Sequence, residues 1–188
     1  MSPLEVIAVG FAIAYLLLAI RQNIWCWAAA LLSTGLFVVV MYRATLYMES
    51  ALQFFYIGMA VYGWNNWRAG KTGTGLLPVT TWPVSQHALA IAAILGLSWV
   101  SGVLLSRFSS AALPYLDSFT TWGAIVTTWM VARKILENWL YWFVIDGVSV
   151  LLYISRELYL TAALFVLYLI LIVIGYWTWR RDMRVKST

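Results

Sequence analysis

Seven apolar runs, separated by charged or turn residues, divide the chain at about 4–20, 24–42, 46–67, 86–106, 117–132, 136–153 and 157–179. Each is long enough, or nearly so, to cross a hydrocarbon layer about 30 Å thick at a rise of about 1.5 Å per helical residue. Lipid offers no hydrogen bonds to an open backbone, so seven such runs fold either as helices or not at all. The reading is an all-α membrane protein with seven transmembrane helices. Composition agrees: 63% of the 188 residues are hydrophobic and 10% charged. The mean hydropathy is +0.85. A water-soluble domain does not carry that balance. The first run has no basic residue before it and no small-residue cleavage pattern after it, so it is expected to stay as a span rather than to be removed as a signal peptide.

The chain also repeats itself. A shift of 112 positions pairs Arg21 with Arg133, Trp27 with Trp139, Gly35 with Gly147, Tyr56 with Tyr168, Gly63 with Gly175 and Trp67-Arg68 with Trp179-Arg180, without a gap. About a quarter of the positions from 21 to 68 agree. Each copy holds three spans, and three crossings leave the chain on the opposite side. A fourth span must bring it back, and 86–106 has no partner under the shift. The expected architecture is therefore three plus one plus three: a first three-helix repeat at 4–67, a linker helix at 86–106 and a second repeat at 117–179, in one membrane domain. Parallel halves of this kind are the SWEET-like plan, with substrate near the midplane between them.

Net charge is +5, but the basic residues fall between apolar runs and in the tail Arg180, Arg181, Arg184, Lys186 instead of forming a nucleic-acid patch. Arg21, Arg68, Lys71, Arg133, Lys134 and that tail share one face under alternating crossings, against Arg43, Arg107 and Arg156 on the other. The first face is expected to be cytoplasmic, with the amino terminus outside. Cys26 has no second cysteine, and His87 opens the fourth span as an interfacial residue. Gly70-Lys71-Thr72 echoes the end of a phosphate loop, yet Asn65 stands where a glycine is required. These residues offer no metal set and no nucleophile with an attendant base, so neither an enzyme nor a cofactor is expected.

One acid stands out. Asp146 lies roughly 15 Å inside the run that begins near Leu136, close to the midplane of the bilayer. A carboxylate there costs at least about 2.5 kcal/mol, so an inward-facing functional role with a partner is expected. Trp139, Trp142, Asp146, Ser149 and Tyr153 follow steps of three and four and share a helix face. Indoles beside a carboxylate suit a flat cationic ring. Trp139 also fits an interfacial belt, whereas Trp142 sits deeper. On the third span Gln53 and Tyr56 fall on one stripe with Ala60, and Gln53 can bond either a ligand or another helix. Asn65 and Asn66 are placed at the interface, where water satisfies them. Thr34 pairs with Asp146 under the shift, so the two halves are chemically unequal.

The stretch Arg133-Lys134-x-x-Glu137-Asn138-Trp139-Leu140-x-Trp142, then Ile145-Asp146-x-x-Ser149-Val150, resembles the PnuC family of bacterial vitamin transporters. So do LQFFYIGMAVYGWNNW in the third span and Leu116-Asp117-Ser118 in the fifth. The resemblance implies inner-membrane uptake of nicotinamide riboside, or in sister branches thiamine or riboflavin, by facilitated diffusion with trapping by a cytoplasmic vitamin kinase. It places the family's Trp-x-x-Trp-x-x-x-Asn/Asp pattern on Trp139, Trp142 and Asp146, and its glutamine on Gln53. Nicotinamide riboside carriers of this family typically have Asn at the position of Asp146, and the acid resembles the thiamine and riboflavin branches. The expected substrate is nicotinamide riboside, with thiamine and then riboflavin as alternatives. Proton coupling through Asp146 and a non-transporting membrane subunit are the competing roles, and a homo-oligomer is left open.

Overall fold

The computed structural model describes residues 3–43, 47–72, 77–108, 113–155 and 159–185. Among them run α1 (Pro3–Ile20), α2 (Trp25–Arg43), α3 (Tyr47–Thr72), α4 (Val84–Phe108), α5 (Pro114–Ala132), α6 (Asn138–Ser155) and α7 (Tyr159–Val185). Every apolar run of the sequence became one helix. Two helices outrun their spans: α3 continues to Thr72, past the apolar run that ends near 67, and α7 carries the basic tail as far as Val185. Hydropathy marks the part of a helix that lipid touches, and a polar extension costs the helix nothing. The phosphate-loop echo, Gly70-Lys71-Thr72, is the end of α3. Residues 73–76, and the side chain of Tyr153, lie outside the described residues.

The chain forms two compact units. The first comprises Met1–Val79, Ala132–Lys134 and Thr178–Thr188; the second comprises Thr80–Val131 and Ile135–Trp177. The helices α1 and α5 end in the same way. Gln22 and Lys134 both have φ of 51°, in the left-handed region. The amide of Asn23 donates to the carbonyl of Leu18 at 2.9 Å, and in the second unit that of Ile135 donates to Met130 at 3.0 Å. This is the six-to-one closure of a helix whose terminal residue turns left-handed. The next helix starts alike in each case, with amides of Cys26 and Trp27 bonding Asn23 and Ile24, and those of Asn138 and Trp139 bonding Ile135 and Leu136. Each of these pairs is separated by 112 positions, so the repeat seen in the letters is present in the backbone.

Packing repeats too. In the first unit the Trp27 ring lies where a Cβ on Gly63 would stand. In the second, Trp139 lies over Gly175, 2.6 Å from such a Cβ. Only a glycine admits the indole this close to the backbone. Trp67 on α3 donates its indole N–H to the carbonyl of Ala132 at 3.1 Å, and Trp179 on α7 donates to Ala19 at 3.0 Å. Each donates to a carbonyl in the last turn of a helix, and that of Ala19 also accepts from the Gln22 amide at 3.0 Å. Asn66, expected to be satisfied by water, instead donates to Ala132 at 2.8 Å. Within the second unit, α4 buries only the stripe Ile94, Ser98 and Gly102. Leu89, Leu95, Trp99 and Leu104 face outward, the pattern of a helix bathed in lipid.

Candidate functional site

In the second unit α6 turns Trp139, Asp146 and Ser149 into the protein and Leu140, Phe143, Val144 and Leu151 out of it. The division follows from the three-and-four spacing of the inward set, whose members lie within a narrow arc of the helix. Asp146 is the ninth of the 18 residues of α6 and is only 6% exposed. Among the described residues its carboxylate accepts no hydrogen bond and joins no ion pair. Ser149 donates to the carbonyl of Ile145 at 2.9 Å and so turns its hydrogen back into its own helix. Trp142, one turn before the acid, is half-buried.

Trp139 finds a structural partner. Its ring is 2% exposed and rests on Gly175, as Trp27 rests on Gly63. Of the belt and ligand roles read from the sequence, neither describes what the ring touches here; it packs α6 against α7. The remaining candidates belong to the first unit. Thr34 is half-buried and donates to its own helix, at 2.8 Å to Ala30. Gln53 and Tyr56 are half-buried on α3.

Two polar clusters escaped the sequence reading. Lys134, read from the sequence as an orientation charge, is 1% exposed. Its Nζ donates to Gln22 Oε1 at 3.0 Å and stands 4.4 Å over the Trp67 ring, while Gln22 Nε2 donates to Asp182 Oδ2 at 2.9 Å. An ammonium ion so enclosed needs this amide and ring, since an unpaired buried charge is expensive. In the second unit the segment before α4 crosses the start of α6. Thr80 accepts from the Leu136 amide at 2.8 Å, and the Trp82 amide donates to Glu137 Oε2 at 3.3 Å. His87 is more than interfacial: its Nδ1 is 3.0 Å from the Tyr141 hydroxyl and its ring stacks on that tyrosine at 5.8 Å. Tyr141 and Glu137 lie on the side of α6 away from Asp146, so this cluster anchors the back of the helix.

Seven helices, at least two of them long and apolar enough to span a bilayer by length and composition, with an inward carboxylate on α6, define a polytopic helical membrane protein. Comparison with known proteins makes the class specific. The profile of the nicotinamide mononucleotide transporter family matches residues 2–181. The chain belongs to this family, the PnuC family of vitamin transporters of the inner membrane. It is 29% identical over 177 residues to the riboflavin/roseoflavin transporter RibM of Streptomyces davaonensis, covering 90% of this chain and 82% of that one. It is 21% identical over 196 residues to the nicotinamide riboside transporter PnuC of Escherichia coli, covering 91% and 82%. A crystal structure of the vitamin B3 transporter PnuC superposes with a TM-score of 0.77 at 24% identity, over 96% of this chain and 82% of that one. That likeness fixes the fold.

Proposed function

We propose that the chain carries a flat, cationic vitamin into the cell, with Asp146 as its counter-ion and Trp142 as the ring it stacks on. The supporting observation is the Asp146 carboxylate itself, buried and without a hydrogen bond or ion pair among the described residues. Burying a charge with nothing to offset it is costly, and a cationic ligand removes the cost when it binds. Among the vitamins of the family, nicotinamide riboside and thiamine are cations, whereas the acid in place of Asn resembles the thiamine and riboflavin branches. Thiamine meets both conditions and is our first choice; nicotinamide riboside comes second. Ser149 is the polar group on α6 for the ligand's arms, and Trp139 backs the aromatic wall.

A phosphorylated vitamin is unsuited, because α5 and α6 carry no basic residue to meet its charge. Uptake is facilitated diffusion, trapped by a cytoplasmic kinase. The two three-helix repeats, linked by α4, supply alternating access, and the carboxy terminus is cytoplasmic. Riboflavin, a neutral vitamin, is the reading outside the cationic class, and the 29% relative favours it. The test is a panel of labelled thiamine, nicotinamide riboside and riboflavin in proteoliposomes, with wild type and Asp146→Ala side by side. We expect thiamine uptake that falls roughly 100-fold in the variant, the scale of removing one partner of a buried charge pair. Riboflavin uptake without thiamine uptake, or an Asp146→Ala protein that carries thiamine like wild type, rules the proposal out.

A further inference from the structure

Two indoles meet at the edge of the first unit. Trp25, which opens α2, is 61% exposed, and its ring stands edge-on to that of Trp64 on α3, 5.5 Å away at 80°. Each indole has an arginine near it in the chain. Arg21 lies four residues before Trp25, in the turn between α1 and α2, and Arg68 lies one turn beyond Trp64 on the same side of α3. Both guanidinium groups are exposed, and among the described residues neither makes a hydrogen bond or an ion pair. The buried Lys134 ties their neighbours together, since its Nζ bonds Gln22, next to Arg21, and lies over Trp67, next to Arg68. The acid of that cluster, Asp182, is met by Gln22. Further along α3 the side that carries Trp64 and Arg68 is apolar: Phe54 and Val61, steps of seven and then three before Trp64, are exposed too. Apolar side chain, indole and guanidinium thus follow one another, the order in which a helix leaves a bilayer through its interface.

The second repeat is equipped otherwise. The 112-residue shift takes Arg21, Trp25, Trp64 and Arg68 to Arg133, Glu137, Tyr176 and Arg180. Glu137 receives the Trp82 amide at 3.3 Å, so the segment before α4 lies against it, and Arg133 and Arg180 each have an interaction within the protein. Trp25, at the equivalent place, has no comparable segment over it among the described residues. We propose that Arg21, Trp25, Trp64 and Arg68 form a docking site for an anionic phospholipid, with the two guanidinium groups on its phosphate and the indoles against its glycerol backbone and upper acyl chains. Guanidinium suits a phosphate through paired N–H donors, and an indole is at home where one side is apolar and the other wet. In the orientation proposed above this is the inner leaflet. The site is independent of which vitamin is carried.

The experiment titrates the full chain, in micelles of a neutral detergent, with phosphatidylglycerol and with phosphatidylcholine of the same acyl chains, counting bound lipid by native mass spectrometry. Phosphatidylglycerol should bind at least about 10-fold more tightly, and equal binding of the two overturns the proposal. Arg21→Gln and Arg68→Gln should each weaken phosphatidylglycerol about fivefold, and the double variant about 30-fold, the scale of one and two basic side chains at an anionic surface. Arg107→Gln removes the same charge from the exposed last turn of α4 and should leave the affinity within twofold of wild type. An equal loss there means that net charge alone is read, and overturns the site. Trp25→Glu copies the second repeat and should lower phosphatidylglycerol binding below that of the double arginine variant, because a carboxylate repels the headgroup. Wild-type affinity in Trp25→Glu overturns the proposal. Inorganic phosphate, added at the same concentration as the lipid, should not displace it; displacement identifies a site for a free anion and overturns the lipid assignment. All of the altered side chains are exposed, so the variants keep the fold.

Discussion

The α2–α3 hairpin of the first unit and the α6–α7 hairpin of the second are built alike and equipped differently. Each opens on a left-handed residue, Gln22 or Lys134, and seats an indole, Trp27 or Trp139, on a glycine 36 positions later, Gly63 or Gly175. Two turns further in, the frame of the first holds Thr34 and that of the second holds Asp146. The shared parts are those that packing demands, since an indole pressed on a backbone tolerates no other residue there. The parts that differ face the interior at mid-helix, where lipid punishes polarity and only function rewards it. The two hairpins thus share a frame and differ in the chemistry they carry.

The comparison breaks most readily at the glycines. Gly63→Ala and Gly175→Ala each place a methyl group inside an indole ring, and relief requires the ring or the helix to shift. Overpacking of this sort costs about 1–3 kcal/mol. We expect both variants to melt earlier in detergent by similar amounts, with Gly175→Ala also losing ligand affinity because α6 carries Asp146. If one glycine tolerates alanine without change, the two seats are not equivalent and the shared frame is not under the same constraint.

These seats show where the sequence is readable and where it is not. The inward turn of Asp146 was legible because it depends on spacing within one helix. The repeat was legible because Trp, Gly and Arg recur in register. The packing role of Trp139 was not, although the sequence held a signal for it: the same Trp and Gly, the same distance apart, occur in both copies, which is what a conserved contact between the second and third helix of a repeat would leave. Lys134 gave no signal at all. Its acceptor, Gln22, is 112 residues away, and a lysine between an arginine and an apolar run reads as a surface charge until tertiary structure closes over it. The ends of α3 and α7 were misplaced because apolar periodicity reports the lipid boundary, and polar residues such as Asp182 continue the helix beyond it.

The Lys134 cluster sharpens the comparison from the other end of the hairpins. Gln22 and Lys134 are equivalent under the repeat, yet they differ in charge and bond to one another in the first unit. Gln22→Ala removes the acceptor of a buried ammonium ion and the donor to Asp182 together. The cost is about 1–3 kcal/mol for leaving the ion short of a partner, read as an earlier melt. The double variant Gln22→Ala, Lys134→Met should recover part of that loss, since removing the charge removes its need. No recovery means that the amide matters for Asp182 and the turn, not for the lysine.

The smallest effect is expected at Thr34, the counterpart of Asp146. Its hydroxyl already donates to Ala30 in its own helix, so Thr34→Val, close in shape, removes a bond that competes with the helix backbone instead of one that holds the fold together. We expect a change in thiamine affinity of about twofold, within the few tenths of a kcal/mol usual for a part-satisfied hydroxyl, against the roughly 100-fold expected at Asp146. That ratio measures the asymmetry of the two halves directly. Thr34→Asp is the reverse experiment: it puts a carboxylate on the hairpin that lacks one. If Thr34→Asp, Asp146→Thr binds thiamine as wild type does, the two hairpins are interchangeable carriers of the charge; if it does not, Trp142 on the Asp146 side is what makes the charge useful.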